Sequence, residues 1–195
     1  MKIALFIYII LFFSNYSFAK SATCAGGEKY ENTLKNISTM QASFVQNING
    51  KYDSSGIFLL KRPGKMLVDY NKGNVDAVIG INGKIVTYLN RESEQISHIP
   101  RDKTPAHFIL DHQKFADLNI IKCEISNGEF SVEIHQEIQN GGTGVFKLFF
   151  NETSADIVKI STINENKDEI ALVFANSVIN GEISDKKFVI QDPRL

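Results

Sequence analysis

The sequence contains no tryptophan, only two cysteines, four prolines and no excess of either charge. Each scarcity closes off a class of protein. With 21 basic and 22 acidic residues, the chain has no positive field for nucleic acid or an anionic lipid surface. Cys24 and Cys123 have no second Cys or His at ligand spacing, which argues against a metal site. No Pro/Gly linker, long charge block or repeat divides the chain, so the reading is one domain. Beyond the N-terminus no stretch is long and apolar enough to cross a membrane.

Catalytic signatures are equally scarce. The four histidines, His98, His107, His112 and His135, form no HExxH or other strong ligand spacing. His107 and His112 lie five apart, on different faces of any helix, and His135 falls on the polar face of a strand. There is no G-x-S-x-G and no phosphate loop. Gly141-Gly142-Thr143-Gly144 has no helix after it and reads as a turn. The expectation is a protein without catalytic residues, metal or cofactor.

What is present starts with an export signal. Lys2 gives a positive n-region, Ile3 to Phe13 is uninterruptedly apolar, and Ser17-Phe18-Ala19 carries small residues where a signal peptidase reads. A membrane anchor is the alternative, but the run is shorter than the roughly 20 residues that span a bilayer. A lipoprotein signal ending at Cys24 would want a leucine three residues back, where Ser21 stands. Residues 1–19 are therefore read as a signal peptide and 20–195 as the mature domain. Cleavage after Ala19 removes only Lys2 among charged residues, so 21 basic residues become 20 against 22 acidic, net −2. In an oxidising compartment Cys24 and Cys123 can bond. Spacing leaves open whether they pair or remain thiols; pairing would close a long loop, worth ~4–5 kcal/mol in the chain-entropy model.

Tyr30, Leu34, Ile37 and Met40 recur at helical spacing and predict one amphipathic helix from Gly27 to Met40. From Ala42 the period changes to two. Strands are expected at 42–49, 56–62, 66–71, 76–81, 85–90, 94–99, 119–126, 129–137, 144–151, 156–164 and 169–175, with a short one at 187–191. Asn82-Gly83, Asn127-Gly128 and Gly141-Gly142 are hairpin pairs, and 50–55 reads as a turn. Short connections make an antiparallel meander. Thr104-Pro105 opens a second, short helix to about Leu118. The fold class is mainly β with helices: an incomplete, unclosed antiparallel β-barrel of about eleven strands with a helical lid.

Ile57-Phe58-Leu59-Leu60 and Phe146 with Leu148-Phe149-Phe150 are apolar on both faces, so both faces need covering, by a helix on one and a ligand on the other. Arg62 continues the face carrying Phe58 and Leu60. A cation at the end of an apolar row must snorkel to water or find acceptors inside.

At this segment the chain resembles the outer-membrane lipoprotein carrier family, the LolA-like proteins. Ala42-Ser43-Phe44-Val45-Gln46 is similar to the family's A-S-F-x-Q. Lys61-Arg62-Pro63-Gly64-Lys65-Met66-Leu67-Val68-Asp69-Tyr70 is similar to K-R-P-G-x-F-R-W-x-Y, and Asn82-Gly83-Lys84 with Tyr88 and Gln95 to D-G-K…Y…Q-V. The resemblance implies a monomeric periplasmic carrier of the acyl chains of lipoproteins. It would take them from an inner-membrane ABC-type transporter to the outer membrane, where a separate acceptor is a further implied partner. It implies that Arg62 tethers the lid in the unloaded state through backbone carbonyls. Met66 stands where the family has Phe, and Val68 where it has Trp. Strand parity and lid position give Phe58, Leu60, Met66, Val68, Phe108, Ile109, Phe146 and Phe150 as cavity candidates. Two other classes remain open: a half-barrel for another lipid, and a protein-interaction or sensor module.

The export reading has a direct check. N-terminal sequencing of protein recovered from the envelope is expected to begin near Lys20, and a mature chain retaining Ile3–Phe13 would contradict it.

Overall fold

The computed structural model describes residues 24–101, 104, 110–111, 118–138, 142–164 and 166–191. The export segment, the body of the expected lid helix and Gly141 lie outside them. Helix α1 (Glu28–Asn36) is followed by β1 (Thr39–Ile48), β2 (Lys51–Lys61), β3 (Lys65–Gly73), β4 (Ala77–Asn82), β5 (Ile85–Asn90) and β6 (Gln95–Pro100). The second half holds β7 (Ile120–Ser126), β8 (Glu129–Ile138), β9 (Gly142–Asn151), β10 (Ile157–Ile163) and β11 (Glu169–Ile179).

All eleven strands form one antiparallel sheet in the order β6-β5-β4-β3-β2-β1-β11-β10-β9-β8-β7. Two meanders are joined by the first and last strands, with Phe44 opposite Phe174. The edges, β6 and β7, are not paired with each other, so the barrel is unclosed. Those two edges are consecutive in the chain, linked by residues 101–119.

The concave face holds the main core. Phe44, Phe58, Leu60, Val132, Leu148 and Phe150 are buried there with Tyr30 and Leu34 of α1 and with Ile37 just after it. Tyr30 stacks parallel on Phe130, centroids 3.9 Å apart, and meets Phe150 at 5.4 Å. At ~25 cal/mol per Å² of apolar surface, this face is the largest single source of stability. Cys24 and Cys123 are joined as a disulfide with Cα atoms 5.6 Å apart, which fastens the lead-in to α1 onto the edge strand β7.

Several expectations are corrected. The helix ends at Asn36, and Met40 is a buried residue of β1. Ile37 turns to extended backbone, and Asn180 accepts the Ser38 N–H at 2.8 Å, so the chain leaves the helix for the sheet. Residues 50–55 are not a turn. Asn49 and Gly50 alone make it, at φ 50° and 77°, and β2 starts at Lys51. The polar run Asp53-Ser54 is held as strand because Ser54 is fully buried and its Oγ accepts the Val75 N–H at 2.9 Å.

Residues 187–191 form no strand. Asp185–Phe188 is a 3-10 turn, and Ile183, Phe188 and Ile190 pack on the convex face against Leu59, Leu67, Val78 and Leu89. The second apolar face of β2 is thus covered by the chain's own C-terminal segment, not by a ligand. Gly80 permits the approach, since a Cβ there would sit 2.7 Å from Ile190 Cδ1. Lys61 and Lys65 both reach Asp185 at 2.7 Å and hold the turn down.

The disulfide spans 99 residues of sequence. Cys123→Ser is expected to lower stability by about 2–5 kcal/mol in urea unfolding. Cys24→Ser should match it, and the double variant should be no worse than either single one.

Candidate functional site

Helix α1 fills one end of the half-barrel, beside Phe130, Phe150, Ile157 and Leu60. The other end stays hollow. A cavity of about 350 Å³ lies between β1–β5 on one side and β9–β11 on the other. This size suits one small apolar ligand, since such sites run ~300–1,000 Å³. Two further hollows, about 390 and 510 Å³, lie outside the barrel, one along α1 and one beside β7.

Four of the expected cavity residues, Phe58, Met66, Val68 and Phe146, line the hollow. Leu60 and Phe150 are buried in the core and do not line it. Phe108 and Ile109 lie outside the described residues, but their neighbour Leu110 is fully buried in the same core. Tyr70, Ile79, Ile81, Val86, Ile160 and Leu172 complete the apolar wall. Tyr70 continues the parity of Met66 and Val68 on β3; the others could not be found from parity alone, because which strands face one another depends on how the sheet curls.

Among the described residues the lining carries no charged side chain. Its polar members are Gln46, Tyr70, Thr104, Ser161 and Thr162. The Tyr70 hydroxyl donates to Gln46 Oε1 at 2.6 Å, and Gln46 Nε2 donates to Asp53 Oδ2 at 2.9 Å. Burial, then the nearby Asp53 and Tyr88, push the Tyr70 phenol up to about 12. It is therefore neutral, and a donor, at any physiological pH. A signal for Gln46 existed in the sequence: it occupies the buried parity of β1, in line with Ala42 and Phe44.

Arg62 lies inside the barrel, not in water, with only 7% of its surface exposed. Its Nη1 donates to the Leu34 carbonyl and, at 2.9 Å, to the Ile37 carbonyl. The acceptors are Leu34 in the last turn of α1 and Ile37 just past its end, where carbonyls lack helical partners and the helix dipole favours a cation. Burial lowers the guanidinium to about 10, and the Asp111 carboxylate opposes that shift. Asp111 belongs to the segment linking the two sheet edges, and Arg101 Nη1 reaches its Oδ1 at 3.0 Å. Arg62 therefore holds the end of α1 while lying within the electrostatic reach of the linking segment.

Among the described residues no cluster of His, Cys, Asp or Glu could hold a metal. Arg62→Ala strips the donor from two buried carbonyls and opens a void. A loss of about 2–4 kcal/mol is expected in urea unfolding.

The family model for the outer membrane lipoprotein carrier protein LolA matches residues 35–191. A comparison with curated protein sequences returns no match. Among solved structures, one similar chain is a domain from Vibrio parahaemolyticus provisionally described as an outer membrane lipoprotein-sorting protein. It is 10% identical over 83% of this chain and 94% of its own, with a TM-score of 0.52. Another is an uncharacterized conserved protein from Thermus thermophilus, 12% identical over 84% of this chain and 93% of its own, TM-score 0.50. At these identities the structures speak for the fold, and the family match spans most of the sequence: the chain belongs to the outer membrane lipoprotein carrier (LolA) family.

Proposed function

We propose that the mature chain is a periplasmic carrier that shelters the acyl chains of lipoproteins between the two membranes. An inner-membrane ABC-type transporter would load it, and an acceptor at the outer membrane would unload it. The observation that carries this reading is the hollow of about 350 Å³, walled by aliphatic and aromatic side chains with no charged side chain among the described residues. Each methylene moved from water into such a wall gains about 0.8 kcal/mol. An acyl chain therefore needs a cover to cross an aqueous space.

A carrier must also let go. Leu110, between β6 and β7, is buried in the core by apolar contact. Arg62 is positioned to balance the states: it binds the end of α1, and Asp111 lies within its field. Interactions made only in the empty, closed form bias the protein toward release, because a ligand must displace them to stay. In this reading Arg62 tethers the lid, and Phe58, Met66, Val68 and Phe146 receive the chain.

A fluorescent fatty-acyl probe is expected to bind the purified mature protein at one saturable site and to be displaced by a diacylated lipopeptide. Arg62→Leu should bind the probe at least as tightly and release it more slowly, by about tenfold for ~1.4 kcal/mol of lost closed-state stabilisation. Absence of saturable binding by any acyl probe would overturn the carrier reading. An unchanged release rate would remove Arg62 from the balance.

A further inference from the structure

The wall of the hollow is not uniform along its length. On β3 the inward row runs Tyr70, Val68, Met66, and on β2 it runs Gly56, Phe58, Leu60 in register with it. At ~3.4 Å per residue the row covers about 14 Å from Tyr70 to Met66. The Met66 end lies toward Arg62 and α1. The Tyr70 end is polar: Gln46 and Tyr70 are each 6% exposed, and Ser161, across the hollow on β10, is 2% exposed.

The polar groups at that end are ordered. Ser54 Oγ donates to Asp53 at 2.8 Å and Asn74 Nδ2 at 3.0 Å, and Gln46 completes the carboxylate's set. Asp53 fixes the Gln46 amide with its nitrogen outward, so its oxygen takes the Tyr70 proton. Among the described residues these bonds use one of the two Gln46 N–H groups and the Tyr70 hydrogen. One N–H and the phenolic lone pairs are left to a ligand. A methyl end seated there would leave them buried and unmet, which costs more than the apolar contact returns. Among the described residues no lining side chain is cationic, and the charge behind the amide is the Asp53 carboxylate. An anionic head would meet the repulsion of Asp53 without a described cation to offset it.

Resting on the reading of the hollow as an acyl site, we propose that Gln46 and Tyr70 form a head-group subsite for a neutral hydrogen-bonding group, such as a glyceryl ester, hydroxyl or amide. The alkyl chain lies along Val68, Phe58 and Met66. Asp53 acts through Gln46 as a positioning and charge-selecting residue. The hollow thus discriminates among single-chain amphiphiles by head chemistry as well as by apolar area.

The test displaces a fluorescent acyl probe with three twelve-carbon ligands: monododecanoyl glycerol, dodecanoate and dodecane. Wild-type protein should prefer the glyceride over dodecanoate by about tenfold, and over dodecane by a similar factor. Tyr70→Phe and Gln46→Leu should each cut glyceride affinity about three- to tenfold while leaving dodecane unchanged. Asp53→Asn, at the half-exposed outer end of the relay, should raise dodecanoate affinity several-fold without loss of fold by circular dichroism. Equal affinity for glyceride and dodecanoate in wild type would overturn the proposal while leaving the acyl site intact. So would a head preference that survives all three substitutions. Failure of every ligand, and of the probe, to bind wild type would instead strike the carrier reading itself.

Discussion

An antiparallel sheet that curls without closing has to cover its concave face with something other than sheet. In this chain that constraint organises everything else. The inward rows of β1–β3 and β8–β11 present Phe44, Phe58, Leu60, Phe130, Leu148 and Phe150 to one interior, and no second sheet faces them. Helix α1 covers about one end, with its Tyr30 ring flat on Phe130. It is only nine residues long, too short to cap the whole trough. The remainder is left to Leu110 and Leu118, between the two edge strands, and to whatever enters the hollow. A closed barrel would have removed that freedom, and a second sheet would have filled the space permanently.

Arg62 follows from the same constraint. A short helix laid inside an apolar trough ends with carbonyls that water cannot reach, and each would be costly unmet. One guanidinium, entering from the end of β2, serves two of them. Of the two outcomes open to a cation on an apolar row, water or interior acceptors, the second is realised, and the acceptors lie at the end of α1. Placing a permanent charge there has a second effect: it sits where Asp111 and Arg101 of the linking segment also converge. Arg62 and the described residues of the linking segment therefore share one region of the fold, at the opposite end of the hollow from the Gln46–Tyr70 pair.

The strands were legible because ten of them alternate or are bounded by turn residues, and the period of two survives any curvature. β2 was the partial exception. Its first half, Lys51 to Ser55, has the composition of a turn, and its pairing with β1, with Ser54 buried and bonded to Val75, makes it a strand. The helix was found from Tyr30, Leu34 and Ile37, but its end was overrun, because Met40 keeps helical spacing by coincidence while facing inward from β1. The C-terminal run Phe188-Val189-Ile190 was apolar and short, a pattern that cannot distinguish an added strand from a pad laid over a sheet. The site divided in the same way. Phe58, Met66, Val68 and Phe146 follow from parity within one strand. Ile81, Val86, Ile160 and Leu172 become neighbours only through pairing across the β1–β11 junction, which no local pattern encodes.

The departures at Met66 and Val68 bear on what the hollow can do. Both side chains line it, where the resemblance had led one to expect Phe and Trp. A rigid ring fixes the shape of a wall, whereas an unbranched thioether adapts to what lies against it, and a valine leaves room where an indole would not. The aromatic surface that remains near the hollow, Phe58, Tyr70 and Phe146, comes from three different strands, and Phe58 is further braced by Phe174 at 4.9 Å. The wall is therefore stiff where β1, β2 and β11 pack together and compliant along β3. Compliance suits chains of varying length and branching, because the cost of a poor fit is relaxed by rotamer changes at Met66 instead of by movement of the sheet. Specificity must then come from elsewhere along the row, and the hydrogen-bonded polar pair at its Tyr70 end is where direction is fixed. An apolar wall that adapts, closed at one end by a polar pair that does not, assigns area to affinity and head chemistry to selection.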